Sequence, residues 1–469
     1  MTTLIEKLAQ FGLQSQFEKL PPEVVVESKR LMLDSIGCAI GALKIEKGKL
    51  ALAAARGMGG SPEVKVIGTG ERLSASAAAF ANGELINALD YDSIITPPGH
   101  VTPYILPAIL GMAETRRSSG KRLIVANAVA HEVSARLGLA MGYYRDAAPG
   151  AKINFPAVSG FSSTIFGGTL GTALLRGLHF AGIANAMGLA GHITPVQTLA
   201  KWGRTLPGSD DKYLLSGWMG QAELLAVLLA EHGYRGDVQV LEGDYGFWRF
   251  VGSSKWNPEP LTERLGEAWR FPPMTIYKPW PHCRGSNTAL DCLQHLIETH
   301  DLKPDEIEAM TVYWDSHTAP LPLWSTKEIA TFSDAQMSAG YAASMVAHRV
   351  RPGPEWYSND ALANPTFLAF IERINLEPHP EFEEALHEDP QSRIGKVELR
   401  ARGKTFAEER RFRKGSPATP GTRMSNSELA EKFLHNAEGI LSSSVAQRVV
   451  ATILELERAE DVSEVTAIW

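Results

Sequence analysis

The chain contains few of the residues and motifs from which most cofactor and metal sites are built. Its 469 residues include three cysteines, Cys38, Cys283 and Cys292. They are too few and too widely spaced for a disulfide framework, a CxxC zinc site or a four-cysteine iron–sulfur cluster. The sequence has no GxGxxG turn, Walker loop, GxSxG elbow or HExxH helix. The absence of these motifs does not exclude metal sites built from Asp, Glu and His. We predict no cofactor and no metal, which leaves an enzyme that uses side chains alone or a protein without catalytic activity.

Basic tracts and long apolar runs are also scarce. The net charge is -7, and no basic stretch with interleaved aromatic residues occurs, which argues against a nucleic-acid partner. No apolar run reaches membrane-spanning length. Residues 1–19 carry charged side chains among the apolar ones, so we expect no signal peptide, no membrane partner and a cytoplasmic location. A hydrophobic fraction of 44% is ordinary for a globular chain of two or three domains.

Helical periodicity dominates the first 270 residues. Pro21-Pro22 opens a segment in which apolar side chains recur at helical spacing. Several later segments are rich in small residues, which allow helices to approach closely in a buried bundle. Further helices are predicted over 49–58, 76–89, 101–118, 122–142, 160–173, 180–190 and 220–229, with a loop at 201–204. We therefore predict an all-helical domain over residues 1–270.

The pattern changes near residue 271. Residues 307–314 read as a strand, and strict alternation over 396–402 followed by a turn and 406–412 predicts a strand pair. Helices are predicted after Ser286 and over 333–348. We predict an α+β domain over residues 271–412. Residues 413–469 begin with a linker and continue as helices that return to the first domain.

The segment 89–103 gathers groups suited to proton transfer. Asp90 and Asp92 end a predicted helix, a Pro-Pro-Gly loop turns the chain, and His100 lies just before Thr102, a predicted helix N-cap. Paired carboxylates and a histidine are typical of general acid–base catalysis. The alternative is that the aspartates cap a helix and the histidine lies in a solvated loop.

Two cationic segments could supply an anion site. Lys212 precedes a helix rich in small residues, although a surface lysine is the more common case. Lys278 and Arg284 bracket a proline-rich stretch that ends at a helix N-terminus, where backbone N–H groups favour anions. The alternative is an exposed domain linker. Tyr341 in its helix fits a buried structural residue, and His131 fits a satisfied core histidine.

Taken in order, these segments resemble the MmgE/PrpD family, which includes 2-methylcitrate dehydratase, cis-aconitate decarboxylase and iminodisuccinate epimerase. The resemblance runs nearly from end to end, and the order and spacing of its motifs are more specific than any one of them. The matching features are Ala81-Asn82-Gly83, Leu89-Asp90-Tyr91-Asp92, His100, Glu132, Lys212, residues 278–284, Ser338 with Tyr341, Lys414-Gly415-Ser416-Pro417 and Lys432-Phe433.

The resemblance implies a mainly α fold, with a large all-helical domain built from both chain ends and an inserted, smaller α+β lid domain. It also implies a homodimer, an active site in the cleft between the domains, no cofactor, and a small di- or tricarboxylate as substrate. By the same resemblance, the catalytic residues would be Asp90, His100, Lys212 and Lys278. Substrate-binding residues would be Arg284, Asp92 and Tyr341.

Chemistry suggests a division of roles among these residues. His100 is our predicted acid or base, since a histidine with a tuned pKa can move a proton beside a carboxylate. Lys212 and Lys278 would bind carboxylates or donate protons, and Asp90 would orient or tune its neighbours.

The chain departs from the family pattern at several positions. Ser93 and Ile94 stand where many relatives have aspartate and threonine, and Phe155 and Asn287 stand where relatives often have histidine. Three functions therefore stay open: a dehydratase or decarboxylase, an isomerase or epimerase, and a non-catalytic helical binding protein. Convergence of the four predicted catalytic residues would favour an enzyme, and dispersal would favour the binding protein.

Overall fold

The protein is mainly α in the computed structural model, which describes residues 2–142, 160–212, 214–253 and 255–469. Helices, with the short 3-10 helices included, contain 55% of the described residues. The helices are α1 Leu4–Gln14, α2 Pro22–Ala42, α3 Glu46–Gly57, α4 Ala75–Ala88, α5 Thr102–Thr115, α6 Gly120–Ala140, α7 Thr164–Arg176, α8 Phe180–Ile193, α9 Leu199–Trp202, α10 Ser216–Glu231, α11 Phe247–Phe250, α12 Glu259–Thr262, α13 Asn287–His300, α14 Pro322–Ser325, α15 Phe332–Met337, α16 Ala339–Ala347, α17 Asn359–Leu362, α18 Pro365–Ile371, α19 Phe382–Glu388, α20 Asn426–Ala437, α21 Ser443–Leu454 and α22 Val462–Thr466.

Nine short strands accompany the helices in the described residues. They are β1 Val64–Lys65, β2 Arg72–Leu73, β3 Ile94–Ile95, β4 Gly99–His100, β5 Thr275–Ile276, β6 Ile307–Trp314, β7 Ile374–Pro378, β8 Gly395–Ala401 and β9 Lys404–Arg410. The largest sheet has the order β7-β6-β8-β9, with β7 parallel to β6 and the other pairs antiparallel. The predicted strand pair is confirmed as β8 and β9.

The helical part is held together by close approach of small residues. α10 packs against α4, α5, α7 and α8, and α6 packs against α7. At the crossing of α4 and α10, a Cβ added to Gly83 would lie 2.8 Å from the Gly217 Cα. Only glycine permits this backbone contact, as the small-residue pattern predicts. α20 and α21 pack on α2, so the C-terminal helices lie on the N-terminal ones.

α6 is a long, buried helix of 21 residues. Contrary to the expectation from sequence, its length and composition are sufficient for a membrane span, but 89% of its apolar window is buried inside the protein. Its polar residues have partners: His131 contacts the carbonyl of Asn127 and the hydroxyl of Thr102, and Glu132 pairs with Arg136 at 2.6 Å. These are the properties of a buried core helix, and the core-histidine prediction for His131 is confirmed.

Several local predictions are wrong. Thr102 is the first residue of α5 and does not cap it, because its hydroxyl contacts His131. The helix predicted over 333–348 is two helices that meet at Ser338, whose hydroxyl caps α16 through Tyr341 N. The loop predicted at 201–204 begins within α9.

Candidate active site

Three two-residue strands align the segments that carry the predicted site residues. β3 lies between β4 and β5, and Ile94 is paired with His100 on one side and with Ile276 on the other. Asp90 lies four residues before Ile94, and Lys278 lies two residues after Ile276. The small sheet therefore brings together groups that are 188 residues apart in the chain.

Asp90 is the centre of a buried group that we call the Asp90 cluster: Asp90, Asp92, His100, Lys212 and Lys278. Lys278 Nζ lies 2.8 Å from Asp90 Oδ1 and donates to the Asp90 carbonyl at 2.8 Å. Lys212 Nζ lies 3.3 Å from the same Oδ1, and His100 Nε2 lies 3.2 Å from it. Each of the five residues is at most 6% exposed. Charge interactions in such a setting are stronger than at the surface.

His100 lies between two carboxylates. Its Nδ1 is 2.6 Å from Asp92 Oδ2, and Asn87 Nδ2 donates to Asp92 Oδ1 at 3.0 Å. The Phe161 ring meets the imidazole edge to face, with the centroids 5.6 Å apart. With Nδ1–H donating to Asp92, Nε2 is the nitrogen that can exchange a proton on the Asp90 side. The alternative of a solvated loop is wrong, because His100 is 2% exposed.

The surroundings tune the protonation of the cluster. Burial alone raises the pKa of the Asp90 carboxyl, but the two lysine charges and the His100 contact outweigh burial and hold that pKa well below its usual value. The pKa of Asp92 is also lowered, since its interactions with His100 outweigh burial. Burial lowers the pKa of Lys212, and the Asp90 charge offsets only part of that effect. Both carboxylates are therefore ionised at neutral pH, while Lys212 gives up its proton more readily than an exposed lysine.

Two members of the cluster have an unusual backbone. Asp90 has a φ of 50° and Lys212 a φ of 52°, in the left-handed region that costs most non-glycine residues about 1 kcal/mol or more. Lys212 Nζ also donates to the Asn87 carbonyl at 2.8 Å. Strained residues of this kind concentrate at functional sites. The reading of Lys212 as a surface lysine is wrong, because it is 6% exposed.

Arg284 borders the cluster through Gly99. A Cβ at Gly99 would lie 2.7 Å from Arg284 Nη1, and the Gly99 φ is +134°, so this position requires glycine. The guanidinium therefore lies beside the residue that precedes His100. Lys278 at the other end of the same stretch is 1% exposed, and the alternative of an exposed linker is wrong there.

Tyr341 is used structurally. Its hydroxyl donates to the Trp356 carbonyl at 2.5 Å, and its ring stacks on Tyr357 with the centroids 6.4 Å apart. These contacts match the buried tyrosine that the residues alone favour, and they give no support to the substrate-binding role implied by resemblance.

Two of the positions that depart from the family pattern, Ser93 and Ile94, lie within four residues of Asp90 in the sequence. Ser93 N donates to Asp34 Oδ2 at 2.8 Å, and Ile94 forms part of β3. Asn287 Nδ2 donates to the Cys283 carbonyl at 3.1 Å. The Ser93 hydroxyl and Asn287 Oδ1 are buried without a hydrogen-bond partner in the described residues. Phe155 lies outside the described residues.

Three residues of this region carry no predicted role. Asn87 positions Asp92, Phe161 packs on His100, and Lys432 donates to the Lys278 carbonyl at 3.0 Å. Asn87 was detectable, since it is a polar residue in an alanine-rich helix three positions before Asp90. Phe161 has no such signal, because ordinary core residues look the same in sequence, and Lys432 was marked only by the resemblance of Lys432-Phe433 to the family pattern, without a role.

The ligand atoms of Asp90, Asp92 and His100 lie within 4.8 Å of one another, a spacing that a metal ion could use. The chemistry of the surrounding groups opposes this use. Lys212 and Lys278 already hold ammonium groups 3.3 and 2.8 Å from Asp90 Oδ1, so a divalent cation there would face two positive charges at close range.

Comparison with known proteins gives relatives over nearly the whole chain. A cis-aconitate decarboxylase-like protein of Aspergillus oryzae is 25% identical over 96% of this chain and 93% of its own length. Human cis-aconitate decarboxylase is 24% identical over 96% of this chain and 91% of its own. A cis-aconitate decarboxylase of Aspergillus terreus is 27% identical over 54% of this chain and 52% of its own.

Two family models cover most of the sequence between them. The MmgE/PrpD N-terminal domain matches residues 6–259, and the MmgE/PrpD C-terminal domain matches residues 280–458. The Asp90 cluster draws Asp90, His100 and Lys212 from the first of these stretches, and Lys278 lies just before the second. The chain belongs to the MmgE/PrpD family.

Proposed function

We propose that the protein is a cofactor-independent lyase that acts on a small di- or tricarboxylate by proton transfer next to a carboxylate. The observation that carries this proposal is the meeting of His100, Lys212 and Lys278 around Asp90 in one buried cluster. Convergence of these groups favours an enzyme over a binding protein. Of the lyases in the family, the names of the relatives favour cis-aconitate decarboxylation over 2-methylcitrate dehydration.

The cluster has the groups that a decarboxylation needs. The bond between a substrate carbon and its carboxylate breaks, carbon dioxide leaves, and the electron pair moves toward the neighbouring unsaturated carboxylate. Lys212 and Lys278 would hold the remaining carboxylates as charge-assisted hydrogen-bond donors. His100 would then deliver a proton to the substrate carbon that receives the electron pair, with Asp92 fixing the orientation of the His100 ring.

A dehydration would use the same groups in a different order. A base would remove a proton beside a substrate carboxylate, and the hydroxyl group would leave as water after protonation. Ionised Asp90 would keep the lysines positioned in either reaction. The choice between the two reactions therefore depends on which substrate fits, which the cluster alone does not specify.

We also propose the assembly that family membership implies, a homodimer with residues 271–412 acting as a lid over the helical domain. The burial of the cluster supports a moving part, since Lys278 is 1% exposed and Asp90 is 0% exposed. A substrate reaches these side chains when part of the structure that covers them moves aside.

A panel of carboxylates tests the reaction class. Purified protein, with and without EDTA, is incubated separately with cis-aconitate, 2-methylcitrate and iminodisuccinate, and carbon dioxide, new alkene and change of optical rotation are followed. We expect carbon dioxide from cis-aconitate at equal rates with and without EDTA. The variant Lys278→Met is compared with the wild-type protein. It is expected to lose turnover, because one carboxylate-binding ammonium group is removed.

The other outcomes separate the alternatives. Loss of optical activity from iminodisuccinate without carbon dioxide or alkene would replace the lyase by an epimerase. Activity that EDTA abolishes and a divalent cation restores would contradict the cofactor-free mechanism. Absence of any reaction across the panel would contradict the lyase proposal for these substrates.

A further inference from the structure

Lys432 and Asp34 form another buried charge pair, next to the segments that carry the Asp90 cluster. Lys432 of α20 places its Nζ 2.7 Å from Asp34 Oδ1 of α2, and the two side chains are 5% and 0% exposed. The pair joins helices that are 398 residues apart in the chain. Burying two charges is costly unless their remaining hydrogen-bonding capacity is used.

The remaining hydrogen bonds of this pair go to the backbone of the two segments that carry the site. Lys432 Nζ donates to the Tyr91 carbonyl at 2.7 Å and to the Lys278 carbonyl at 3.0 Å. With Asp34, these acceptors use all three ammonium hydrogens. Asp34 Oδ2 in turn accepts a hydrogen bond from Ser93 N at 2.8 Å.

These contacts fix how the two segments lie relative to each other. Tyr91 directly follows Asp90, and its ring centroid lies 3.7 Å from Lys432 Nζ. Lys278 supplies both a carbonyl to Lys432 and an ammonium group to Asp90. A shift of the Lys278 backbone relative to Tyr91 therefore changes the 2.8 Å contact between Lys278 Nζ and Asp90 Oδ1. Misplacement of catalytic groups by about 1 Å can cost about 10²-fold in rate.

We propose that Lys432 and Asp34 are positioning residues, which hold the segment bearing Asp90 and the segment bearing Lys278 at the spacing that proton transfer requires. The effect on turnover rests on the function proposed above. The effect on the surroundings of His100 does not, since that residue belongs to the same cluster whatever the substrate is.

The same helix offers a matched control. Lys29 of α2 donates to the Leu454 carbonyl at 2.6 Å and pairs with Glu457 at 2.8 Å. It also ties α2 to the C-terminal part of the chain, and its side chain is 10% exposed. These two partners of Lys29 belong to the segment 454–457 and not to the Asp90 cluster. Lys29→Met therefore removes a buried lysine and an interhelical tie without touching the site segments.

The test compares Lys432→Met and Asp34→Asn with Lys29→Met. Asp34→Asn keeps the shape of the side chain and serves as the decisive variant if Lys432→Met does not fold. Thermal unfolding measures stability, kcat and KM on the substrate found in the panel measure function, and NMR of [¹³C]histidine-labelled protein follows His100, assigned by the signal missing from His100→Gln. We expect kcat to fall by about 10- to 100-fold in the two site variants, with a smaller change in KM.

We also expect a shifted His100 signal in those two variants and an unchanged one in Lys29→Met, at a comparable loss of melting temperature. If Lys432→Met and Asp34→Asn lose stability but keep both kcat and the His100 signal, the pair only stabilises the fold and the proposal is overturned. If no substrate of the panel is turned over, the His100 signal alone decides: a shift supports positioning, and no shift overturns it.

Discussion

Replacing His100 by glutamine is expected to lower kcat by about 10²- to 10⁴-fold while the protein stays folded. The imidazole has Nδ1 at 2.6 Å from Asp92 and Nε2 at 3.2 Å from Asp90, so it is held by both nitrogens in the middle of the cluster. The amide nitrogen of glutamine can donate a hydrogen bond to a carboxylate, but glutamine cannot accept and return a proton at neutral pH. The measurement is steady-state turnover of the substrate identified from the panel.

His131→Gln is the control for this prediction. His131 is also fully buried, and its hydrogen-bond partner Thr102 lies two residues after His100. Burial lowers the pKa of His131 to about 4, so its ring is neutral and structural at working pH. We expect the His131 variant to lose stability and to retain kcat within a few-fold. Full activity of His100→Gln would contradict the role of His100 in proton transfer.

Asp90→Asn is expected to destabilise the protein at pH 7 by about 3–5 kcal/mol, the usual result of leaving buried charges without their partner. Asp90 Oδ1 is the shared contact of Lys212, Lys278 and His100. Its loss leaves two buried ammonium groups beside a neutral amide. The same variant is expected to lose turnover, since the lysines are no longer held in place.

The loss of stability in Asp90→Asn should depend on pH in a defined direction. Burial already lowers the pKa of Lys212 with Asp90 present, so removal of the Asp90 charge lowers it further. A lysine whose folded-state pKa lies below its unfolded-state value of about 10.4 penalises folding most at low pH. The difference in unfolding free energy between wild type and variant should therefore shrink as pH rises from about 7 toward 10.

Asp291→Asn provides the comparison for that pH series. Asp291 is buried, accepts hydrogen bonds from Trp280 Nε1 at 2.8 Å and Lys414 N at 2.7 Å, and has a pKa raised by burial to about 6. Its titration is complete below this pH range, so its stability deficit should stay constant between pH 7.5 and about 10. A constant deficit in Asp90→Asn as well would contradict the pairing of Asp90 with the lysines.

The helices and the longest strands could be predicted from sequence because their signals are local. Apolar spacing located α2, α4 and α6 to within a few residues, and strict alternation located β8 and β9. β7 was missed, since its parallel pairing with β6 across α18 depends on contacts between distant segments. The break at Ser338 was missed for a related reason: its hydroxyl contacts Thr326 O and Tyr341 N, which local periodicity does not reveal.

In the candidate site, too, some residues could be predicted from sequence and others depend on contacts between distant segments. Residue chemistry marked Asp90, His100, Lys212 and Lys278 as candidates, resemblance to a family assigned them to one site, and the structure brings these four together. The residues alone did not place His100 in a strand, because β4 is only two residues long and its partner β3 also pairs with β5, about 180 residues away. Lys432 carried no chemical prediction, since a lysine on an amphipathic helix is normally exposed. Its burial follows from the packing of α20 on α2, which only the folded chain displays.

The measurement that tests the central claim most directly is turnover of cis-aconitate by the wild-type protein in deuterium oxide, followed by NMR and mass spectrometry. Proton delivery by the Asp90 cluster predicts a product that has lost one carbon dioxide and gained one solvent deuterium at the carbon that receives the proton. If cis-aconitate stays unchanged and free of deuterium after incubation with folded protein, proton transfer to this substrate at the cluster is contradicted.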